Sequence, residues 1–101
     1  MDLSIEQIVK LVCRDMKVSE RQILGKSRTM EVALARQLAM FLSKELTNAS
    51  LANIGTHIGG RDHSTVIHAC KNIDKKILDD NDFQRKVESI KNKISGQKIS
   101  N

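Results

Sequence analysis

This sequence predicts a small all-α bundle of about six helices, two of which form a helix-turn-helix. Three observations point there. The chain has 101 residues with no proline and five glycines, so it carries few breakers. Its apolar residues recur at i, i+3, i+4 and i+7, the spacing of one helix face. Serine or aspartate stands before several of the apolar runs, where an N-cap belongs. The length suits one domain, and 40% hydrophobic residues suffice for a packed core.

The first helix opens at Ser4, with Gln7 completing a capping box. Ile5, Ile8, Val9, Val12, Cys13 and Met16 form its apolar face. Ser19 and Gln22 make a second box before Ile23 and Leu24, and Gly25 is read as a left-handed stop. The polar stretch Lys26 to Thr29 reads as an exposed loop. A long helix follows from about Glu31 to Leu46. Its core side is Leu34, Ala35, Leu38, Phe41, Leu42 and Leu46, which leaves Arg36, Gln37, Ser43, Lys44 and Thr47 outside.

Ser50 caps a short helix that buries Leu51, Ile54 and Ile58, and Gly59-Gly60 breaks it. Asp62 is a good N-cap for the next helix, which buries Val66, Cys70, Ile73 and Ile77. A last helix carries Phe83, Val87, Ile90 and Ile94, with Asp82 near its start. Residues 1–94 are read as the domain and 95–101 as a polar, frayed tail.

Charge narrows the function. Seventeen Lys and Arg against twelve Asp and Glu leave a net charge of +5, which suits a polyanionic partner. The only aromatic residues are Phe41 and Phe83. Readers of unpaired bases need aromatic platforms, so duplex DNA is the better polyanion. Cys13 and Cys70 lie far apart on apolar faces and read as buried free thiols in a reducing compartment. No apolar run approaches a membrane span and no signal peptide opens the chain, so a cytoplasmic protein is expected.

The segment Ser50 to Lys76 carries the chemistry. A short helix, a glycine turn and a longer helix make a helix-turn-helix, whose second helix presents its first residues to base edges in the major groove. Those residues here are Arg61, Asp62, His63, Ser64 and Thr65, five polar side chains in a row. Arg61 can donate twice to guanine, Asp62 can accept from cytosine, and Ser64 or the Thr65 methyl can meet a thymine. His68 and Lys71 continue the outer face, where phosphates lie.

Gly59 through Cys70 (GGRDHSTVIHAC) closely resembles the signature of the bacterial replication initiators of the DnaA family, in their C-terminal DNA-binding domain. Ala35 to Met40 and Lys44 to Asn48 match that domain too, and the resemblance runs from about Ser4 to Ile94. It implies a Trp-repressor-like helical domain that binds a DnaA box, a short asymmetric AT-rich duplex, with one domain per box. Asp62, His63, Ser64 and Thr65 match the base-reading positions, with Arg61 beside them and Lys44 near the groove edge. Arg28 occupies the place of a loop arginine that enters the minor groove, where narrow AT-rich DNA attracts arginine. Lys26, Arg36, Gln37, Thr47, Asn48 and His68 match phosphate-holding positions.

The chain also departs from the family. Ala52 and Ala35 stand where some members have proline, and the Lys26–Arg28 loop carries less charge than in many. The family protein also holds an AAA+ domain that binds ATP with magnesium. No Walker motif occurs in this chain, so no cofactor and no enzymatic activity is expected of it. A nucleoid-associated monomer is expected, with an AAA+ domain in cis if the chain is a fragment.

Three rivals follow from the residues. His57, His63, His68 and Cys70 lack zinc-ligand spacing, so a metal site is not expected. A protein-interaction bundle would bind without the steep salt dependence of a DNA module. A stand-alone helix-turn-helix repressor would read a palindrome as a dimer.

Overall fold

The computed structural model describes residues 3–99. Within them the chain forms six helices: α1 (Ile5–Met16), α2 (Glu20–Leu24), α3 (Met30–Leu46), α4 (Leu51–His57), α5 (His63–Asp79) and α6 (Asn81–Ile99). The capping boxes predicted at Ser4 and Ser19 are both formed, each serine accepting from the backbone three residues on. Ser50 and Asp62 cap α4 and α5 in the same way. Asp80 serves the last connection, where its carboxylate accepts the Phe83 N–H at 3.0 Å. That bond to the charged form holds the Asp80 carboxyl below its usual range.

Helix α3 is the central rod, with α1, α2, α4 and α5 packed around it. This arrangement corrects the wet face predicted on α3 at Arg36 and Ser43, while Lys44 is exposed as predicted and Gln37 and Thr47 are half-buried. Val32, Ala35, Leu38, Ala39, Met40, Phe41 and Leu42 are buried, and so are Ser43 at 0% exposure and Arg36 at 9%. A helix enclosed by neighbours on several sides has no solvent stripe in its middle. Ser43 Oγ is buried without a hydrogen-bond partner. Leu34, Leu46, Leu51 and Ile77, placed in the core by periodicity, are only partly buried and pack against its rim. Leu24 is 40% exposed.

Helix α6 closes the bundle against α1 and α5 through Phe83, Val87, Ile90 and Ile94. Lys93 reaches Asp15 of α1 at 2.6 Å, and Lys91 reaches Glu45 of α3 at 3.4 Å. Such surface pairs add register more than energy. The helix does not stop at Ile94, where the sequence reading ends the domain; it runs on through Ser95 and Gly96 to Ile99. One glycine costs a helix only about 1 kcal/mol, and no proline follows. Ser100 and Asn101, the end of the expected tail, lie outside the described residues.

Two substitutions on one helix calibrate the packing. Ile73 is fully buried, and Ile73→Ala should cost about 2–5 kcal/mol in urea unfolding. Leu78 is 83% exposed, and Leu78→Ala should stay within about 0.5 kcal/mol of the parent.

Candidate nucleic-acid interface

The turn between α4 and α5 is built by close backbone approach. Ile58 ends α4, and Gly59 and Gly60 follow with φ of +83° and +65°. The chain then folds back so that the Arg61 N–H donates to the Gly55 carbonyl at 2.8 Å. A Cβ on Gly55 would stand 2.1 Å from the Arg61 carbonyl oxygen, which no relaxation of a side chain could relieve. Gly55 is thus fixed by contact, while Gly59 needs its positive φ.

Asp62 begins α5. Its Oδ1 accepts from Thr65 N at 3.1 Å, Ser64 Oγ at 2.9 Å and Thr65 Oγ1 at 3.3 Å. The Ser64 hydroxyl, then the Thr65 N–H, hold the carboxyl below its usual range. Asp62, His63, Ser64 and Thr65 are all exposed. Oδ2 of Asp62 stays open as an acceptor. The two hydroxyls keep lone pairs, and the Thr65 methyl is uncommitted. His63 has no hydrogen-bond partner among the described residues. Four of the five residues predicted to face outward do so.

Arg61 does not. Its guanidinium donates to the Ile58 carbonyl at 3.0 Å and to the Gly25 carbonyl at 2.6 Å, so the predicted fork to guanine is already occupied. Arg36, predicted on the phosphate backbone, is likewise engaged. Its Nε donates to Ile23 O at 2.7 Å, and its Nη2 donates to Gln22 O at 2.9 Å and Gly25 O at 3.2 Å. The reason lies in α2. A helix of five residues leaves its last carbonyls without intrahelical partners. Arg36 satisfies those of Gln22 and Ile23, and both arginines reach the Gly25 carbonyl just beyond the helix. Burial first, and the nearby Arg61 charge second, hold the Arg36 guanidinium below its ordinary value. Gly25 itself is extended, with φ −93° and ψ −155°, rather than the predicted left-handed stop. The left-handed cap belongs instead to Lys17, at the end of α1.

The other predicted residues divide into groups. Lys26 and Arg28 are exposed on the loop between α2 and α3. Gln37, Thr65 and His68 line a shallow cleft with Arg36 and Arg61, between α3 and one flank of α5. Lys44 and Lys71 line another on the opposite flank of α5, with Leu51, Ile67, Cys70 and Asp74. Asn48 is exposed. Thr47 is half-buried and already occupied: its hydroxyl donates to Ser43 O at 2.6 Å and accepts from Ala49 N at 3.1 Å. Among the described residues no group of His, Cys, Asp and Glu could hold a metal ion. No helix among the described residues is long and apolar enough to cross a membrane.

Sequence reasoning misses the roles of Gly55, Arg36 and Arg61. The available signal is the shortness of α2, since so short a helix needs donors from elsewhere.

A family profile described as "Bacterial dnaA protein helix-turn-helix" matches residues 5–73. The chain belongs to the DnaA helix-turn-helix family. The match takes in α1 to α4 and α5 as far as Ile73, so every element of the turn lies within the DnaA pattern. The chromosomal replication initiator protein DnaA of Chlorobaculum tepidum is 47% identical over 92 residues, 91% of this chain and 19% of that protein. The DnaA proteins of Thermodesulfovibrio yellowstonii and Flavobacterium psychrophilum are each 45% identical, over 94% and 93% of this chain. The chain spans about a fifth of the length of these DnaA relatives. It corresponds to their helix-turn-helix part and not to an ATPase domain.

Two outcomes test this geometry. Gly55→Ala should destabilise the fold by about 1–3 kcal/mol or more, because a methyl group cannot enter the turn; thermal unfolding reads it. The lowered folded-state value of Asp62 means that its contribution is present above the unfolded carboxylate value. The contribution is lost as pH falls through the folded one. Asp62→Asn should therefore flatten the acid limb of the stability profile, and an unchanged limb would contradict the cap.

Proposed function

We propose that this domain binds double-stranded DNA as a monomer, one copy on one short asymmetric AT-rich DnaA box, with the start of α5 in the major groove. The observation that carries the reading is the exposed run Asp62 to Thr65. It stands on a capped helix end, with the His63 ring free and the clefts of Gln37 and His68 and of Lys44 and Lys71 on either flank. His63, Ser64, Thr65 and the open oxygen of Asp62 then meet base edges, with Lys44 near the groove edge. Arg28 enters the adjacent minor groove. Lys26, Gln37, Asn48, His68 and Lys71 hold phosphates. The net charge of +5 supplies the long-range attraction. Membership of the initiator family supports an origin of replication as the place of binding. A full initiator would work in the cytoplasm on the nucleoid and bind ATP in its AAA+ part, outside these residues. Control of transcription from the same boxes fits the same chemistry.

The test is a titration of a DnaA-box duplex and a scrambled duplex at two salt concentrations. The box should bind more tightly, with one domain per duplex, and affinity should fall steeply with salt. His63→Ala should cost about 1–3 kcal/mol on the box alone, and Lys71→Ala should lower the salt slope by roughly one on both duplexes. Equal affinity for both duplexes, or a two-to-one complex on a single box, would overturn the reading.

A further inference from the structure

Resting on that reading, we propose that Arg61 and Arg36 are positioning residues: they clamp the carbonyl of Gly25 and so fix the Arg28 loop relative to α5 without touching DNA themselves.

The clamp joins three segments far apart in sequence. Arg61 immediately precedes the Asp62 cap of α5, and its two donors grip Ile58 O within the turn and Gly25 O at the head of the loop. Arg36, from the middle of α3, grips Gly25 O again, together with Gln22 O and Ile23 O. Gly59 closes the same junction, since a Cβ there would stand 2.8 Å from the Leu24 carbonyl oxygen. Arg28 lies three residues beyond Gly25, and His63 two beyond Arg61. The two reading elements therefore share one anchor. Neither guanidinium has a carboxylate partner among the described ion pairs. Backbone carbonyls alone hold them, and the fork of arginine is needed because each bonds two or three at once. A lysine keeps the charge but has one nitrogen to offer.

The fixed distance matters because the loop and α5 address different grooves. A loop free to wander would leave Arg28 paying its ordering entropy on binding. The preference for an AT-rich flank then depends on two residues that never reach it.

The experiment combines binding and NMR on Arg61→Lys, Arg28→Ala and the double variant, with Arg36→Lys as an independent break of the same clamp. On a box with its AT-rich flank, Arg28→Ala and Arg61→Lys should each lower affinity about tenfold, the range of one lost specific contact. The double variant should be no worse than either single one. With the flank changed to GC pairs, Arg61→Lys should bind within about twofold of the parent, as expected where the Arg28 contact contributes little. Amide order parameters for residues 26–29 should fall below about 0.6 in both clamp variants, while α3 and α5 stay near 0.85. In the unaltered protein, the side-chain NMR signals of Arg61 and Arg36 should stay in place on adding the box, while those of Arg28 and His63 move. Effects that multiply in the double variant, a loop that stays rigid, or an Arg61 signal that moves with Arg28 would overturn the clamp. The order parameters need no DNA. A parent that fails to prefer the box would sink the DNA reading while the clamp could still be judged.

Discussion

The carbonyls at the end of α2 impose the constraint on which the rest of the interface depends. A five-residue helix leaves the Ile23 carbonyl with no local donor and the Gln22 carbonyl with only the Gly25 N–H at 3.3 Å, and the extended Gly25 adds a third acceptor. Buried carbonyls without donors cost more than most single contacts contribute. The chain meets the demand by bringing in Arg36 from α3 and Arg61 from the helix-turn-helix. Satisfying a short helix thereby fastens three parts of the molecule at one point. The cost is visible too: two guanidinium groups crowd together, and one is nearly excluded from water.

The start of α5 shows how a capping site can also order the exposed side chains beside it. Asp62 spends one carboxylate oxygen on the helix and leaves the other free. Ser64 and Thr65 give their protons to that cap, so their hydroxyls face outward as acceptors with fixed orientation. Polar side chains ordered before any partner arrives lose less entropy on binding. The cap therefore contributes twice, once to the helix and once to the rigidity of the side chains beside it.

Much of this was legible in the sequence. Caps at Ser4, Ser19, Ser50 and Asp62 are local, and a local hydrogen bond leaves a local pattern. The exposed run from Asp62 to Thr65 follows from the same logic, as do the four buried positions of α6. What the sequence does not show gathers on α3 and around Arg61. Periodicity puts Arg36 and Ser43 on a wet face of α3, and neighbouring helices cover that face at both positions. The polar neighbours of Arg61 suggest a base contact, but its guanidinium is held by Gly25, 36 residues away. Long-range acceptors have no signature in a single sequence. Gly25 itself shows that a glycine after a helix need not adopt the left-handed form, since here Arg36 of α3 donates to carbonyls at the end of α2.

A single anchor also bears on symmetry. A dimeric helix-turn-helix repeats one reading element about a two-fold axis, and its site must be palindromic. This domain has two unlike elements in one chain, the loop of Arg28 and the start of α5, with no axis relating them. Docked on DNA as proposed, they would address neighbouring grooves with different chemistry, a basic side chain for a narrow groove and mixed donors and acceptors for a wide one. A reader of that kind distinguishes the two directions along the duplex without a second copy. For that, the separation between its parts must be as well defined as the parts themselves, and in this fold it is defined by the short span of backbone from Gln22 to Gly25 that both arginines hold.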